Sequence, residues 1–208
     1  MIRILKITPK NFNEIIKEVI KYIRQGKVIV LPTDTVYGLA ADAANQKAVK
    51  RLFKIKKRKL TKPIPIFVRD MAMVRKLADI DKAQEKFLKE NWPGKITAVL
   101  KRKERKKMYG LDKKTIALRI PNYKLINILV KKLNQPLTGT SANISGKPAT
   151  TKIKEVIKQF KNPRTRTSSV RGRQKFQPDL IIDAGNLRKS RPSKVIDLTE
   201  KKIKILRH

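Results

Sequence analysis

An apolar run at residues 28–31 ends at a proline and is followed by three polar side chains. These are the hydroxyls of Thr33 and Thr35 and the carboxylate of Asp34. Apolar runs of about four to eight residues with such an end are typical of central strands in α/β sheets, and ligands usually bind beyond the carboxyl ends of these strands. Residues 33–35 could therefore hold a polar small molecule. The alternative is an ordinary strand-to-helix turn, in which Thr33 or Thr35 only caps the next helix.

Basic side chains are concentrated at residues 50–62, where eight lysines and arginines occur without an acid. A basic run on a helix is usually only a solvated face. Here the last members, Lys56, Arg58 and Lys62, are expected in a short connection that leads to a buried strand at residues 64–68. A short connection that is fixed by the buried strand after it could present ammonium and guanidinium groups to a triphosphate.

Arg119 lies near the end of another predicted strand, residues 115–120, which stops at a proline. Burial of a guanidinium is unfavourable unless an anion meets it. A carboxylate of the protein is one possible partner and an anionic ligand is the other. The sequence favours the ligand, because carboxylates are scarce.

The segment 136–148 is rich in small and hydroxyl-bearing residues. It is not a Walker phosphate loop, because six residues separate Gly139 from Gly146 and a proline follows Lys147. Backbone amides and hydroxyls in such a segment could still hold an anion.

Composition excludes several kinds of chemistry. The 208 residues include no cysteine, which removes disulfides, thiolate nucleophiles and cysteine metal sites. The single histidine is His208, so a histidine general base and histidine-ligated zinc are not expected. We predict no metal site built from protein ligands.

The charge balance is strongly basic, with 53 lysines and arginines against 16 acids and a net charge of +37. Such a surface attracts polyanions, whether nucleic acid or nucleotide substrates, although a generic property of the source organism's proteins would look the same. No apolar run approaches the ~18 residues that a membrane helix needs, and the first ten residues do not form a signal peptide. We expect a soluble cytoplasmic protein without membrane partners.

Hydrophobic periodicity predicts alternating strands and amphipathic helices, and therefore one α/β domain over residues 1–208. The basic segment 161–177 is predicted to be a mobile loop within that domain, because strands resume after it. Strands are predicted at 2–7, 28–31, 64–68, 96–100, 115–120, 180–183, 194–198 and 203–206, and helices at 11–25, 45–53, 71–77, 84–88, 122–133 and 153–160.

Taken together, these stretches resemble the YrdC/Sua5 family, the threonylcarbamoyl-adenylate synthases. The combination of PTDTVYGL with a Lys-x-Arg and a Ser-x-Asn is specific, and the match spans nearly the whole chain. The stretches that carry it occur in the family's order: PTDTVYGLAAD at 32–42, IKKRKLTKPIPIFV at 55–68, RIP at 119–121, TSANISGKPA at 140–149 and SKVIDLT at 193–199.

The resemblance implies a YrdC-like α/β fold, with a twisted mixed sheet, flanking helices and a basic concave face. It implies the conversion of L-threonine, bicarbonate and ATP to threonylcarbamoyl-AMP and pyrophosphate. The product would serve a partner enzyme complex that modifies an adenosine in tRNA. Mg²⁺ is expected with ATP, since a triphosphate carries its own metal site. Longer family members have a linked second domain, so this chain resembles the single-domain form.

Residue roles follow from the same resemblance. Thr35, Arg119 and Ser193 are similar to contacts for threonine, and Lys56 and Arg58 match the catalytic Lys-x-Arg. This chemistry requires orientation of anionic reactants and stabilisation of developing charge, so it does not need a cysteine or an internal histidine. The expected nucleotide contacts are Lys56, Arg58, Lys62, Thr115, Ser141, Asn143 and Arg207.

Three positions depart from the family pattern. Phe67 stands where the family often has histidine or another polar residue, and Ala149 stands where it often has serine. Lys59 replaces a usual proline directly after the Lys-x-Arg.

Two other functions remain open. A chain with this charge binds RNA at low salt, so it could be a double-stranded RNA or tRNA-binding module without catalysis. Against that function, only 5% of residues are aromatic and no predicted strand carries several aromatic side chains for base stacking. A relative of the carbamoyl-transferring domain of hydrogenase maturation proteins would use carbamoyl phosphate instead of bicarbonate and threonine.

Overall fold

Two mixed β-sheets and their flanking helices make up the fold, seen in a computed structural model that describes residues 2–103, 108–161, 176–200 and 202–208. The predicted α/β class is confirmed. The strands are β1 (Arg3–Lys6), β2 (Ile29–Leu31), β3 (Gly38–Ala40), β4 (Ile66–Phe67), β5 (Ala78–Asp79), β6 (Ile96–Arg102), β7 (Thr115–Arg119), β8 (Leu137–Thr138), β9 (Thr140–Ser141), β10 (Leu180–Asp183), β11 (Lys194–Asp197) and β12 (Lys204–Arg207). The helices are α1 (Phe12–Arg24), α2 (Gln46–Lys56), α3 (Met71–Leu77), α4 (Lys82–Asn91), α5 (Lys124–Leu133) and α6 (Ile153–Phe160).

The first sheet has five strands in the order β1-β10-β2-β3-β9. Its first three strands are parallel, whereas β3 and β9 run antiparallel to their neighbours. Strand β2 lies at the centre, as its apolar sequence predicts. Ile29 and Leu31 pack into one hydrophobic core, and Val28 and Val30 pack into the other. The run is continuously apolar because both faces of the strand are buried.

The second sheet has the order β12-β11-β6-β7-β4-β8, and β5 pairs with β6 outside this row. Strands β6 and β11 are parallel, and β6 and β7 are antiparallel. Because side chains alternate along a strand, the register places Val99, Ala117 and Val195 on the same face of this sheet. That face forms one wall of the cleft described below.

Gly139 connects the two sheets. It is the single residue between β8, in the second sheet, and β9, in the first. A Cβ at this position would lie 2.7 Å from the ring of Phe67. The close approach therefore requires glycine, and it brings the hydroxyl-rich segment to the junction of the sheets.

The structure corrects several local predictions. Residues 32–37 lead into β3 rather than a helix, so the helix-cap alternative for Thr33 and Thr35 is wrong. Helix α2 extends to Lys56, which therefore lies in its last turn and not in the connection that follows. The short strands β3, β5, β8 and β9 were not predicted, because two or three residues show no hydrophobic period.

Two further predictions are the mobility of the basic segment 161–177 and the lack of a membrane helix. Most of the basic segment 161–177 lies outside the described residues, so its predicted mobility stays a prediction. In the parts of the chain that the structure describes, no helix is both long enough and apolar enough to cross a membrane.

Candidate active site

A cleft with a volume of about 730 Å³ opens where the loop after β2, the α2–β4 connection, the segment after β9 and the face of the second sheet converge. Every predicted site residue except Thr115 lines it. Residues far apart in sequence are brought together here by the ends of strands and of helix α2 and by the connections next to them. The predicted lining residues are Thr35, Lys56, Arg58, Lys62, Arg119, Ser141, Asn143, Ser193 and Arg207.

Arg119 is fixed at the end of β7, with 4% of its surface exposed. Its guanidinium forms an ion pair with Asp34 at 2.6 Å and donates to the carbonyl of Gly94 at 2.9 Å and to the hydroxyl of Thr35 at 3.2 Å. Burial lowers the pKa of Arg119, and the carboxylate of Asp34 opposes that shift. These contacts use three of the five N–H groups, which leaves two for a ligand carboxylate.

The loop after β2 is stabilised by its own hydroxyls. Thr33 donates to the carbonyl of Val36 at 2.7 Å and accepts from the backbone amide of Thr35 at 3.0 Å. The second carboxylate oxygen of Asp34 accepts from the amide of Asn122 at 3.0 Å. The loop therefore holds Thr35 and Asp34 in place beside Arg119.

Lys56 is almost fully buried, with 3% of its surface exposed. Its Nζ lies 2.6 Å from the carbonyl oxygen of Ser141 and 2.7 Å from Oδ1 of Asn143. Burial, followed by the nearby charges of Arg58 and Arg207, lowers the pKa of Lys56 to about 7. No salt bridge to this ammonium occurs within the described residues.

Arg58 folds back on its own connection. Nε donates to the carbonyl of Lys62 and Nη2 to the carbonyl of Pro63, both at 2.9 Å. Burial lowers the pKa of Arg58. The side chain of Lys62 is exposed at the mouth of the cleft. Both residues line the cleft from this connection, and their presentation to a triphosphate stays a prediction.

Arg207, at the end of β12, contacts Ser193, which directly precedes the neighbouring strand β11. Arg207 donates to the carbonyl of Ser193 at 2.6 and 3.0 Å, and the hydroxyl of Ser193 lies 2.8 Å from that of Thr97. Ser193 is predicted to contact threonine and Arg207 to contact nucleotide. Their contact places the two predicted subsites next to each other.

Thr115 is the exception among the predicted residues. It begins β7, and its hydroxyl donates to Asp112 at 3.2 Å. Its side chain is on the same face of β7 as those of Ala117 and Arg119, which line the cleft. Thr115 itself is not a lining residue. Its role as a nucleotide contact stays a prediction.

A model of the family Sua5_yciO_yrdC, described as "Telomere recombination", matches residues 21–208. The chain belongs to the Sua5/YciO/YrdC family. The resemblance found in the sequence is therefore confirmed.

The chain is similar to several members of this family. It is 32% identical over 207 residues to a putative threonylcarbamoyl-AMP synthase of Methanocaldococcus jannaschii, covering 98% of this chain and 89% of the relative. The structure of P. abyssi Sua5 complexed with L-threonine has a TM-score of 0.82 and 33% identity, and covers 100% of this chain but 57% of that one. The structure of E. coli YciO has a TM-score of 0.82 and 25% identity, and the match covers 100% of this chain and 96% of YciO.

The departures from the family pattern differ in their consequences. Phe67 is buried and forms an apolar wall of the cleft, where its ring packs against Gly139. Ala149 is not among the lining residues, whereas Lys59 is. Replacement of a polar residue by Phe67 therefore makes the wall near Arg119 more apolar.

Asp34 and Tyr37 are two largely buried residues of this site whose roles were not identified from the sequence. Asp34 was noted as a polar residue, but its pairing with Arg119 spans 85 positions and has no local signal. Tyr37 is wholly buried, and its hydroxyl donates to the carbonyl of Gly185 at 2.6 Å and accepts from the amide of Ala184 at 3.1 Å. Burial raises the pKa of Tyr37, so this hydroxyl stays protonated and connects the cleft to β10.

The cleft is suited to bind anions. None of its described lining residues is Asp or Glu, and in the described part of the chain no cluster of three or more acidic or histidine side chains could hold a metal ion. A Mg²⁺ ion would fit here only as part of a metal–triphosphate complex, coordinated by phosphate oxygens and water. The lining cations are Lys56, Lys57, Arg58, Lys59, Lys62, Arg119 and Arg207.

Proposed function

We propose that this protein is a threonylcarbamoyl-AMP synthase, which converts L-threonine, bicarbonate and ATP to threonylcarbamoyl-AMP and pyrophosphate. The observation that carries the proposal is one cleft with a buried, oriented Arg119 beside a group of cations and without an acidic lining residue. The similarity to a putative threonylcarbamoyl-AMP synthase of M. jannaschii and to the threonine-bound P. abyssi Sua5 supports it.

Threonine binds at the end of β7 in this proposal. Its carboxylate takes the two remaining N–H groups of Arg119, and the hydroxyls of Thr35 and Ser193 contact its polar groups. Arg119 enters this complex already held by Asp34, so little orientational freedom is lost on binding. Preorganisation of this kind positions the amine for reaction.

ATP binds on the other side of the cleft. Arg58, Lys62 and Arg207 neutralise the phosphates, and Ser141 and Asn143 contact the nucleotide. Thr115 would be a further contact at the far end of the same strand face. Mg²⁺, held by the phosphates and water, would supply additional charge neutralisation during transfer.

The two subsites adjoin, which suits a reaction in two steps. The threonine amine attacks bicarbonate, and water is lost to give a carbamate. A carbamate oxygen then attacks the α-phosphorus, and the bond to the bridging oxygen breaks to release pyrophosphate. The residues orient these anions and stabilise charge on phosphate oxygens, so no covalent intermediate with the protein is needed.

The product is a mixed anhydride, which hydrolyses readily. We therefore propose that it passes to a tRNA-modifying threonylcarbamoyl transferase complex in the cytoplasm. The partner complex and the use of bicarbonate are part of this proposal.

The first experiment measures pyrophosphate release from ATP and Mg²⁺, with threonine and bicarbonate omitted in turn. We expect release only when both are present. Release without threonine would contradict the proposal. Activity with carbamoyl phosphate in place of bicarbonate and threonine would instead indicate chemistry like that of hydrogenase maturation proteins.

A further inference from the structure

We propose that Lys56 is a positioning residue: its buried ammonium holds residues 141–146, here called the 141–146 loop, in the shape that receives the nucleotide. The proposal rests on the proposed function only in assigning nucleotide binding to this loop. It changes the predicted role of Lys56, which the sequence places among the catalytic contacts.

The acceptors around Lys56 are the first argument. Besides the carbonyl of Ser141 and Oδ1 of Asn143, its Nζ contacts the carbonyl of Asn143 at 3.2 Å and the hydroxyl of Ser141 at 3.3 Å. An ammonium has three N–H groups. The loop therefore offers more acceptors than Lys56 has donors, and no N–H remains for a phosphate.

The end of helix α2 gives a second argument. The backbone amide of Ser145 donates to the carbonyl of Lys56 at 2.7 Å. Carbonyls in the last turn of a helix lack partners within the helix, and here the loop supplies one. Lys57 follows in the left-handed region, with φ of 51°, and ends the helix. Lys56 thus binds the loop through both its side chain and its backbone.

Electrostatics explain why a hydrogen-bond donor is needed at this position. Three oxygens of Ser141 and Asn143 converge on one point within 3.2 Å of Nζ. Without a donor at that point, the carbonyl of Asn143 would lose its hydrogen bond and the three oxygens would repel one another. The carbonyl of Ser141 and Oδ1 of Asn143 would each keep one hydrogen bond, from the amide of Asn143 and the hydroxyl of Ser141. Arg58 and Lys62 differ from Lys56, because they lie at the more exposed part of the cleft.

The test compares Lys56→Met, which keeps most of the side-chain volume, with wild type. Lys50→Met is the matched control, because Lys50 is exposed on the same helix. Hydrogen exchange of the amides of the 141–146 loop and of β7 is measured, together with the dissociation constants for ATP and adenosine.

We expect exchange in the 141–146 loop to accelerate about tenfold or more in Lys56→Met, while β7 keeps its protection. Affinity for ATP and for adenosine should fall by the same factor, about tenfold, because the whole loop is displaced. Unchanged exchange with a loss confined to ATP would overturn the proposal, since it would show direct phosphate contact.

Lys56→Arg provides a second variant that retains a charged donor, in case Lys56→Met does not fold. Its ATP and adenosine affinities should change in equal proportion, and a selective loss for ATP would again overturn the proposal. Hydrogen exchange requires no turnover. Failure of the positioning role and failure of the synthase assay are therefore separate results.

Discussion

Arg119 illustrates how a ligand-binding arginine is prepared at the scale of single residues. The sequence favours an anionic ligand as its partner, but the structure shows a protein carboxylate, Asp34, at 2.6 Å. The two explanations are compatible, because the ion pair uses only part of the guanidinium. Asp34 fixes the orientation of Arg119 and offsets much of the unfavourable burial of its charge.

We predict that Arg119→Lys raises the KM for threonine by about 10- to 100-fold, because an ammonium cannot form the paired hydrogen bonds of a guanidinium. The KM for ATP should change much less. Steady-state pyrophosphate release measures both constants. Lysine is preferred to alanine here, since removal of the whole cation would leave buried Asp34 unpaired.

Arg69→Lys is the control for this substitution. Arg69 pairs with Asp70 at a site where both side chains are about one third or more exposed, at 33% and 42%. Exposed pairs contribute little, about 0–1 kcal/mol, so the control should keep both KM values. An unchanged KM for threonine in Arg119→Lys would contradict the assignment.

Short strands decide the shape of the cleft at the scale of elements. Strands β8 and β9 have two residues each and belong to different sheets. They form because β4 and β3, which are distant in sequence, supply hydrogen-bonding partners, and local periodicity does not predict them. Elements of four or more residues can differ in this respect: α3, α6 and β10 have the predicted bounds, because each has enough residues for a visible pattern.

Gly139→Ala should destabilise the protein by about 1–3 kcal/mol, because the added Cβ meets the ring of Phe67 inside a packed region. Chemical denaturation measures the free energy of unfolding. The double variant Gly139→Ala/Phe67→Leu makes room for the Cβ and should recover part of the loss. Full stability in the single variant would show that the sheet junction does not need glycine.

Net charge is the property that acts at the scale of the whole molecule. A charge of +37 promotes encounter with any polyanion, whether ATP, tRNA or other RNA. Attraction of this kind carries no information about sequence or chemistry. The arrangement of cations in one cleft, rather than their number, favours the enzyme over an RNA-binding module.

RNA binding is therefore expected to be strong at low salt and to weaken by about 10³-fold or more between about 50 and 200 mM salt. Fluorescence anisotropy with a double-stranded RNA and a tRNA tests this directly. Duplex DNA of the same length serves as the control and should show a comparable salt dependence. Tight, RNA-selective binding at physiological salt would instead support a dedicated RNA-binding role.

The sequence by itself determined the α/β class, most long elements, the family and the residue types at the cleft. It could do so because hydrophobic period and motif order are properties of local sequence. The pairing of Arg119 with Asp34 and of Lys56 with the 141–146 loop was decided only by the tertiary structure. These contacts join residues 85 and 87 positions apart, and burial at the junction of two sheets determines which acceptor each cation meets.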